Sequence, residues 1–411
     1  MAGVALSLTH LLLGLLYLCA VARGSAEALD NEAVSVVTDV EDGSTDEEDG
    51  PDVDPAKAAA NGDKLGIFIL VTDLQYKGAD RLAMLRATVR LAEQNLLPYT
   101  PYIMYVFTLP DALTHVRRAL SDLLRASGGP GGHLHVMPVA NGTWEVPPSA
   151  MREKWWKGKW NAAYRLMGDW RLSFAPQYAR SQGHRYLLFM DDDSYVTGKV
   201  GEDLVASFDA QHWVAGAHRF NRDALLVTWG LPELAKFFLM THRMEPLGDL
   251  WAHCDPPSAA GLFSALDPEV AGDPEMVRTA AALQLPRTGG WDRVVLNGNC
   301  LLLSLRWWFR PKVQAFVSLA RASGASFAYR WNEQAVIGMA TRLFAPAARV
   351  RNLTFPYLHR VRPTEALRAA GLADDGGLLG FLGQGGEADG EDEDVEGDRG
   401  GEEGGTAAFR P

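Results

Sequence analysis

Three consecutive carboxylates, Asp191-Asp192-Asp193, follow directly on the apolar run YLLFM at residues 186–190. Adjacent like charges repel, so three in a row ask for cations or water to compensate them. In an extended chain alternate side chains point the same way, which lets Asp191 and Asp193 share one ion and sends Asp192 elsewhere. A hard divalent cation such as Mn2+ or Mg2+ takes an octahedron of oxygen-rich ligands, with phosphates and waters completing what the protein supplies. The plain alternative is a solvated acidic turn, and the motif alone leaves both open. His133 and His135 alternate on an expected strand, as either a second metal pair or a polar strand face. The absence of further ligands nearby favours the strand face. Trp155, Trp156 and Trp160, interleaved with Lys154, Lys157 and Lys159, read either as a surface for sugar and diphosphate or as an amphipathic segment.

The elements that must position these residues follow from the hydrophobic pattern. Residues 65–72 (LGIFILVT), 102–107, 134–139 and 186–190 are apolar runs of strand length, and residues 81–95 and 113–126 between them carry a helical pattern. Strands alternating with helices of ten to fifteen residues predict a parallel α/β sheet. Ligands of such sheets bind beyond the carboxyl ends of the strands, where the acidic triplet stands. Residues 311–322 and 332–344 read as further helices, the second with Asn332 as its natural N-cap. Residues 253–290, rich in Pro, Gly and Ala, read as a surface insertion.

The chain of 411 residues has a net charge of −12, spread very unevenly. Residues 27–54 hold twelve acids and no base, and residues 387–411 hold ten acids against two arginines. With those tails and Arg23 set aside, the body carries about +7, which suits an anionic ligand. No basic stripe or binding module for nucleic acid is present, so nucleic acid is not an expected partner. Residues 27–62 and 379–411 are too acidic and too poor in aromatics to bury a core, and read as a disordered stem and tail around a body at 63–378. Residues 4–22 are apolar, so residues 1–26 form either a cleaved signal peptide or a signal anchor that holds the chain at a membrane. Either places the body in the secretory lumen, in accord with the sequons at Asn141 and Asn352. In that compartment Cys254 and Cys300 form either one disulfide or two buried thiols.

The segment YLLFMDDDSYV at 186–196 resembles the metal-binding motif of GT-A glycosyltransferases. Downstream, WWFRP at 307–311, ASFAYRWNEQAVIG at 325–338 and FPYLH at 355–359 resemble, in order and spacing, the carboxy-terminal half of the fungal α-1,2-mannosyltransferases, glycosyltransferase family 15. Upstream, AYRLM at 163–167 is similar to that family's Tyr-Arg-x-Met segment, and residues 213–238 fit its strand-to-helix stretch. The resemblance runs from about residue 65 to residue 362 and is strongest in the last third. It implies a GT-A, Rossmann-like α/β fold in a single large catalytic domain, which transfers mannose from GDP-mannose to a glycan or glycoprotein with retention, in the Golgi lumen.

By the same resemblance Asp191, Asp193 and His359 hold the metal, while Tyr164, Arg165, Thr72, Asp73 and Asp192 stand at the nucleotide-sugar donor. Glu333 matches an acid that binds the acceptor hydroxyl or takes its proton. The family's Leu-Val-Arg-Asn becomes Leu70-Val71-Thr72-Asp73 here, which alters the nucleotide contacts. A larger departure concerns the glutamate proposed as the family's nucleophile. It aligns within residues 297–303 (NGNCLLL), where no carboxylate stands. A retaining double displacement needs a nucleophile beside the anomeric carbon. The chain therefore calls on Asn299, on another carboxylate, or on front-face attack. Two other readings stay open: an inverting transferase using UDP-sugars, because Asp-Asp-Asp-Ser-Tyr-Val also resembles those enzymes, and a non-catalytic relative that binds glycans or scaffolds other proteins.

Overall fold

The computed structural model describes residues 53–76, 79–147, 150, 162–224, 227–256 and 290–372. The leader, most of the acidic stem, the acidic tail, most of the insertion and the Trp/Lys segment at 154–160 lie outside the described residues. Among the described residues no helix is long and apolar enough to cross a membrane.

Thirteen strands are described: β1 Leu65–Val71, β2 Gln75–Tyr76, β3 Ala79–Asp80, β4 Tyr102–Thr108, β5 Leu134–Pro138, β6 Tyr186–Met190, β7 Ser194–Val196, β8 Ala215–Ala217, β9 Phe220–Arg222, β10 Val294–Leu296, β11 Cys300–Ser304, β12 Val350–Asn352 and β13 Tyr357–His359. Seven form one sheet in the order β12-β8-β11-β6-β1-β4-β5. All neighbours pair in parallel except β11, which runs antiparallel to both β6 and β8. The chain steps from β1 outward to β4 and β5, then returns to place β6 on the other side of β1. The order therefore reverses between β1 and β6, and the crevice at their carboxyl ends is where such a sheet receives ligands.

Continuous apolar strands are required because both faces of this sheet are covered. Along β1, Leu65, Ile67, Ile69 and Val71 enter one core while Phe68 and Leu70 enter the other. β6 divides in the same way, with Leu187 and Phe189 on one face and Tyr186, Leu188 and Met190 on the other. Each such side chain contributes about 1.5–3 kcal/mol when fully buried, so the centre of the sheet is a rigid platform.

Five helices bear on the site: α1 Arg81–Asn95, α2 Ala162–Leu172, α3 Leu231–Thr241, α4 Pro311–Ala322 and α5 Glu333–Phe344. Asp80 caps α1, its carboxylate accepting from the amides of Leu82 (2.9 Å) and Ala83 (3.2 Å). Asn332 caps α5 through the amide of Ala335 (3.2 Å), as the sequence predicts. The expected helix over 113–126 is instead two short helices, Leu113–Ala119 and Ser121–Ala126, hinged at Leu120. The expected stem also ends earlier than residue 62. Residues Pro55–Asn61 are helical, with Asp54 as N-cap and an alanine-rich interior that favours helix without a core of its own. This helix docks through the Asn61 amide, which donates to the Gln182 carbonyl at 2.8 Å. It also closes on Gly183, whose φ of +86° and lack of a Cβ allow the Lys57 carbonyl to approach.

Candidate metal centre and active site

The acidic triplet occupies the turn between β6 and β7, at the carboxyl end of β6. Strand pairing then brings in two distant residues. β13 pairs antiparallel with β7 and sets His359 opposite Ser194, while β11 sets Cys300 opposite Met190, so that Asn299 lies beside Asp191. The Asp191 amide donates to the Asn299 carbonyl at 3.2 Å.

Asp191, Asp193 and His359 each present a ligand atom within 4.8 Å of the others. His359 Nε2 lies 3.3 Å from Asp193 Oδ1 and 3.6 Å from Asp191 Oδ2. Ligands at about 2.1 Å from an octahedral ion sit about 3.0 Å apart along an edge and about 4.2 Å across. The two carboxylates and the imidazole therefore fit a small divalent cation, with Mn2+ better matched than Mg2+ to a set that includes nitrogen. Burial works against the Asp191 charge, but Arg171 and His359 outweigh it and hold its carboxyl well below the usual range. Burial likewise disfavours the imidazolium of His359, yet the two carboxylates lift that ring to about 9.

Behind the metal position sits Arg171, near the end of α2 and buried. Its guanidinium bridges Asp191 Oδ1 (2.6 Å) and Glu333 Oε1 (2.8 Å), and donates to the Gly298 carbonyl at 3.1 Å. One oxygen of Asp191 is thus occupied by Arg171 while the other faces His359. Glu333, in the first turn of α5, is 2 % exposed, and its Oε2 has no hydrogen-bond partner among the described residues. Gly298 makes this approach feasible, since a Cβ there would lie 2.4 Å from Glu333 Oε1. No motif marks Arg171. Its only sequence signal is a charge between Trp170 and Leu172 on a helix whose neighbouring positions are apolar.

The expected donor residues divide. Thr72 and Asp73 follow β1 at the switch point, half-buried and exposed respectively. Tyr164 is half-buried on α2, where its hydroxyl accepts from Arg330 Nη1 at 3.3 Å and its ring lies 5.3 Å from that guanidinium. Arg330 in turn pairs with Asp223 (2.9 Å), which also accepts from Gln334 (3.0 Å); all three lie in segments that carry the resemblance, with no role expected of them individually. Two residues are not placed as expected. Arg165 is buried and donates to the Phe327 carbonyl, so it ties α2 to the short helix Ala325–Ala328. Asp192 is 1 % exposed and ion-paired with Arg81 of α1, while its carbonyl accepts from Thr88 (2.7 Å). Asp192 therefore anchors the acidic turn to α1 instead of meeting a donor.

Asn299 directs its amide nitrogen to His359 Nδ1 at 2.7 Å. His133 leans on Glu93 (3.4 Å) and His135 stacks on Tyr105 at 5.5 Å, so this alternation is a strand face. The disulfide does not form. Cys254 and Cys300 are not bonded to each other; they are buried in the cores on opposite faces of the sheet, which separates their sulfurs. Asn141 is exposed in a turn, and Asn352 is exposed on the edge strand β12.

No family model matches the chain, and no curated protein matches it. Solved structures do. The mannosyltransferase Ktr4p from S. cerevisiae, solved in complex with GDP, aligns with a TM-score of 0.53 at 12% identity over 72% of this chain and 71% of that one. Core-mannan synthase A (CmsA/Ktr4) from Aspergillus fumigatus, in its Mn/GDP form, aligns with a TM-score of 0.51 at 14% identity over 75% of this chain and 86% of that one. At such identities the likeness is one of fold, and the fold of this chain is the GT-A-like α/β fold of these mannosyltransferases.

Proposed function

We propose that this protein is a metal-dependent glycosyltransferase that moves mannose from GDP-mannose to a glycan or glycoprotein acceptor, with retention, in the lumen of the secretory pathway. The observation that carries this reading is the meeting of Asp191, Asp193 and His359 at the β1/β6 switch point. Support comes from the fold shared with two mannosyltransferases, one solved with GDP and one with Mn and GDP. A luminal body is supported by the apolar leader and by two exposed sequons.

A bound divalent cation supplies charge for the leaving diphosphate, where charge grows in the transition state. The chain's own residues do the rest. Asp191 and Asp193 neutralise the cation, and Arg171 keeps the Asp191 carboxylate aimed by holding its other oxygen. Thr72 and Asp73 border the nucleotide, and Tyr164 offers an aromatic face to the donor sugar. Glu333, held by Arg171 beside the metal position, binds the acceptor hydroxyl or takes its proton. The amide of Asn299 is no nucleophile, so attack from the leaving-group face is favoured over double displacement through residues 297–303.

Thermal melting of the full chain with GDP- and UDP-sugars, with and without Mn2+, tests this. A ligand at a hundred times its dissociation constant stabilises the fold by about 2.7 kcal/mol. Stabilisation by GDP-mannose that requires Mn2+ and vanishes in Asp193→Ala is expected, together with mannose transfer. A response to UDP-sugars alone overturns the donor assignment, and binding without hydrolysis or transfer overturns the catalytic one.

A further inference from the structure

Asn299 is held more firmly than a loop residue needs to be. Its carbonyl accepts from Ser194 Oγ (2.8 Å), from the Tyr357 hydroxyl (3.2 Å) and from the Asp191 amide (3.2 Å). Those three donors come from β7, β13 and the acidic turn, so the backbone of Asn299 is fixed to every element that carries a metal ligand. The residue is 5 % exposed, and among the described residues its side chain hydrogen-bonds to His359 Nδ1. Its Oδ1 has no hydrogen-bond partner among the described residues.

An imidazole that ligates a cation through Nε2 must give that nitrogen's lone pair to the ion, so the ring proton resides on Nδ1 and needs an acceptor. A ring that instead donates Nε2–H to carboxylates while neutral has a bare Nδ1, which needs a donor. A primary amide meets either demand by a half-turn that exchanges Oδ1 and Nδ2 in place. Oδ1 as placed meets no donor among the described residues, so the contact with the ring is what orients the amide.

We propose that Asn299 is the positioning residue of the metal centre: its amide holds the His359 ring and, with Oδ1 accepting from Nδ1–H, fixes the tautomer whose Nε2 binds the cation. This rests on the divalent-cation reading above and gives the position of the absent family carboxylate a different duty. A carboxylate at 299 would accept equally well, whereas an aliphatic side chain of the same length can neither accept nor donate.

The test is Mn2+ binding to the full chain, read by the electron paramagnetic resonance signal of free Mn2+ at fixed pH, for wild type, Asn299→Asp and Asn299→Leu. Removing the partner of a metal-ligating histidine weakens affinity by about 10–100-fold. Asn299→Leu is expected to lose affinity in that range while Asn299→Asp, which keeps an acceptor and adds a negative charge, holds or gains affinity. Long-range proton–nitrogen spectra of the His359 ring with Mg2+ bound are expected to show Nδ1–H in wild type and a mixture of tautomers in Asn299→Leu. Should Leu unfold the chain, Asn299→Ser and the tautomer spectrum of wild type carry the same comparison. Equal Mn2+ affinity in wild type and Asn299→Leu overturns the inference and leaves the cation reading intact. A wild-type chain that takes up no Mn2+ overturns both.

Discussion

Arg171→Met removes the one guanidinium that joins Asp191 to Glu333 while keeping most of the side-chain volume. The cost falls mainly on Glu333, whose side chain is 3 % exposed; that of Asp191 is 28 % exposed, so solvent takes up part of its loss. A buried carboxylate stripped of its partner costs about 3–5 kcal/mol. In wild type, against the pull of burial, Arg171 and His359 hold the Asp191 carboxyl well below the usual range, so its contribution to stability is present above about pH 4 and is lost only as pH falls through the folded value. Urea unfolding at pH 7, followed by fluorescence of buried Trp170, Trp307 and Trp308, reads the loss, expected at about 3–5 kcal/mol. A loss below about 1 kcal/mol refutes the view that Glu333 is a buried carboxylate dependent on Arg171.

Three further outcomes follow from the same geometry. Gly298→Ala places a Cβ 2.4 Å from Glu333 Oε1 and should displace that carboxylate from Arg171, lowering stability by about 1–3 kcal/mol and transfer more steeply; unchanged melting and transfer would show that the loop yields. Burial pushes the Cys254 thiol up to about 12 and the Cys300 thiol higher still, so neither should alkylate in the folded chain and both should in urea. A reductant-sensitive gel shift of the monomer would contradict the separation of the two sulfurs. Asn332→Ala removes the N-cap of α5, and urea unfolding should show a loss of about 1 kcal/mol; no loss would mean that packing alone fixes the start of that helix.

Much of the fold was legible because the strands are buried on both faces and so read as continuous apolar runs, which is how residues 65–71 and 186–190 stand out. The helices 81–95, 311–322 and 333–344 show their periodicity and caps locally. Less legible were the hinge at Leu120, which no proline or glycine marks, and the helix at 55–61, whose docking partners lie around residue 183. At the site, Asp191 and Asp193 announce themselves by type and spacing, and His359 came forward only through resemblance. Arg171 carries no motif, because a buried arginine is recognised by what surrounds it.

The sequence by itself determined the α/β class, the acidic turn at the end of a buried strand and the basic body between acidic tails, since these depend on local periodicity and composition. Only the tertiary structure decided that Asp192 serves Arg81, that Arg165 serves the backbone, that Asn299 serves His359, and that the two cysteines stay apart. Such assignments depend on strand register. The antiparallel pairing of β11 with β6 and of β13 with β7 sets residues 299 and 359 beside 191, and no local property of the chain encodes a contact made across that distance in sequence.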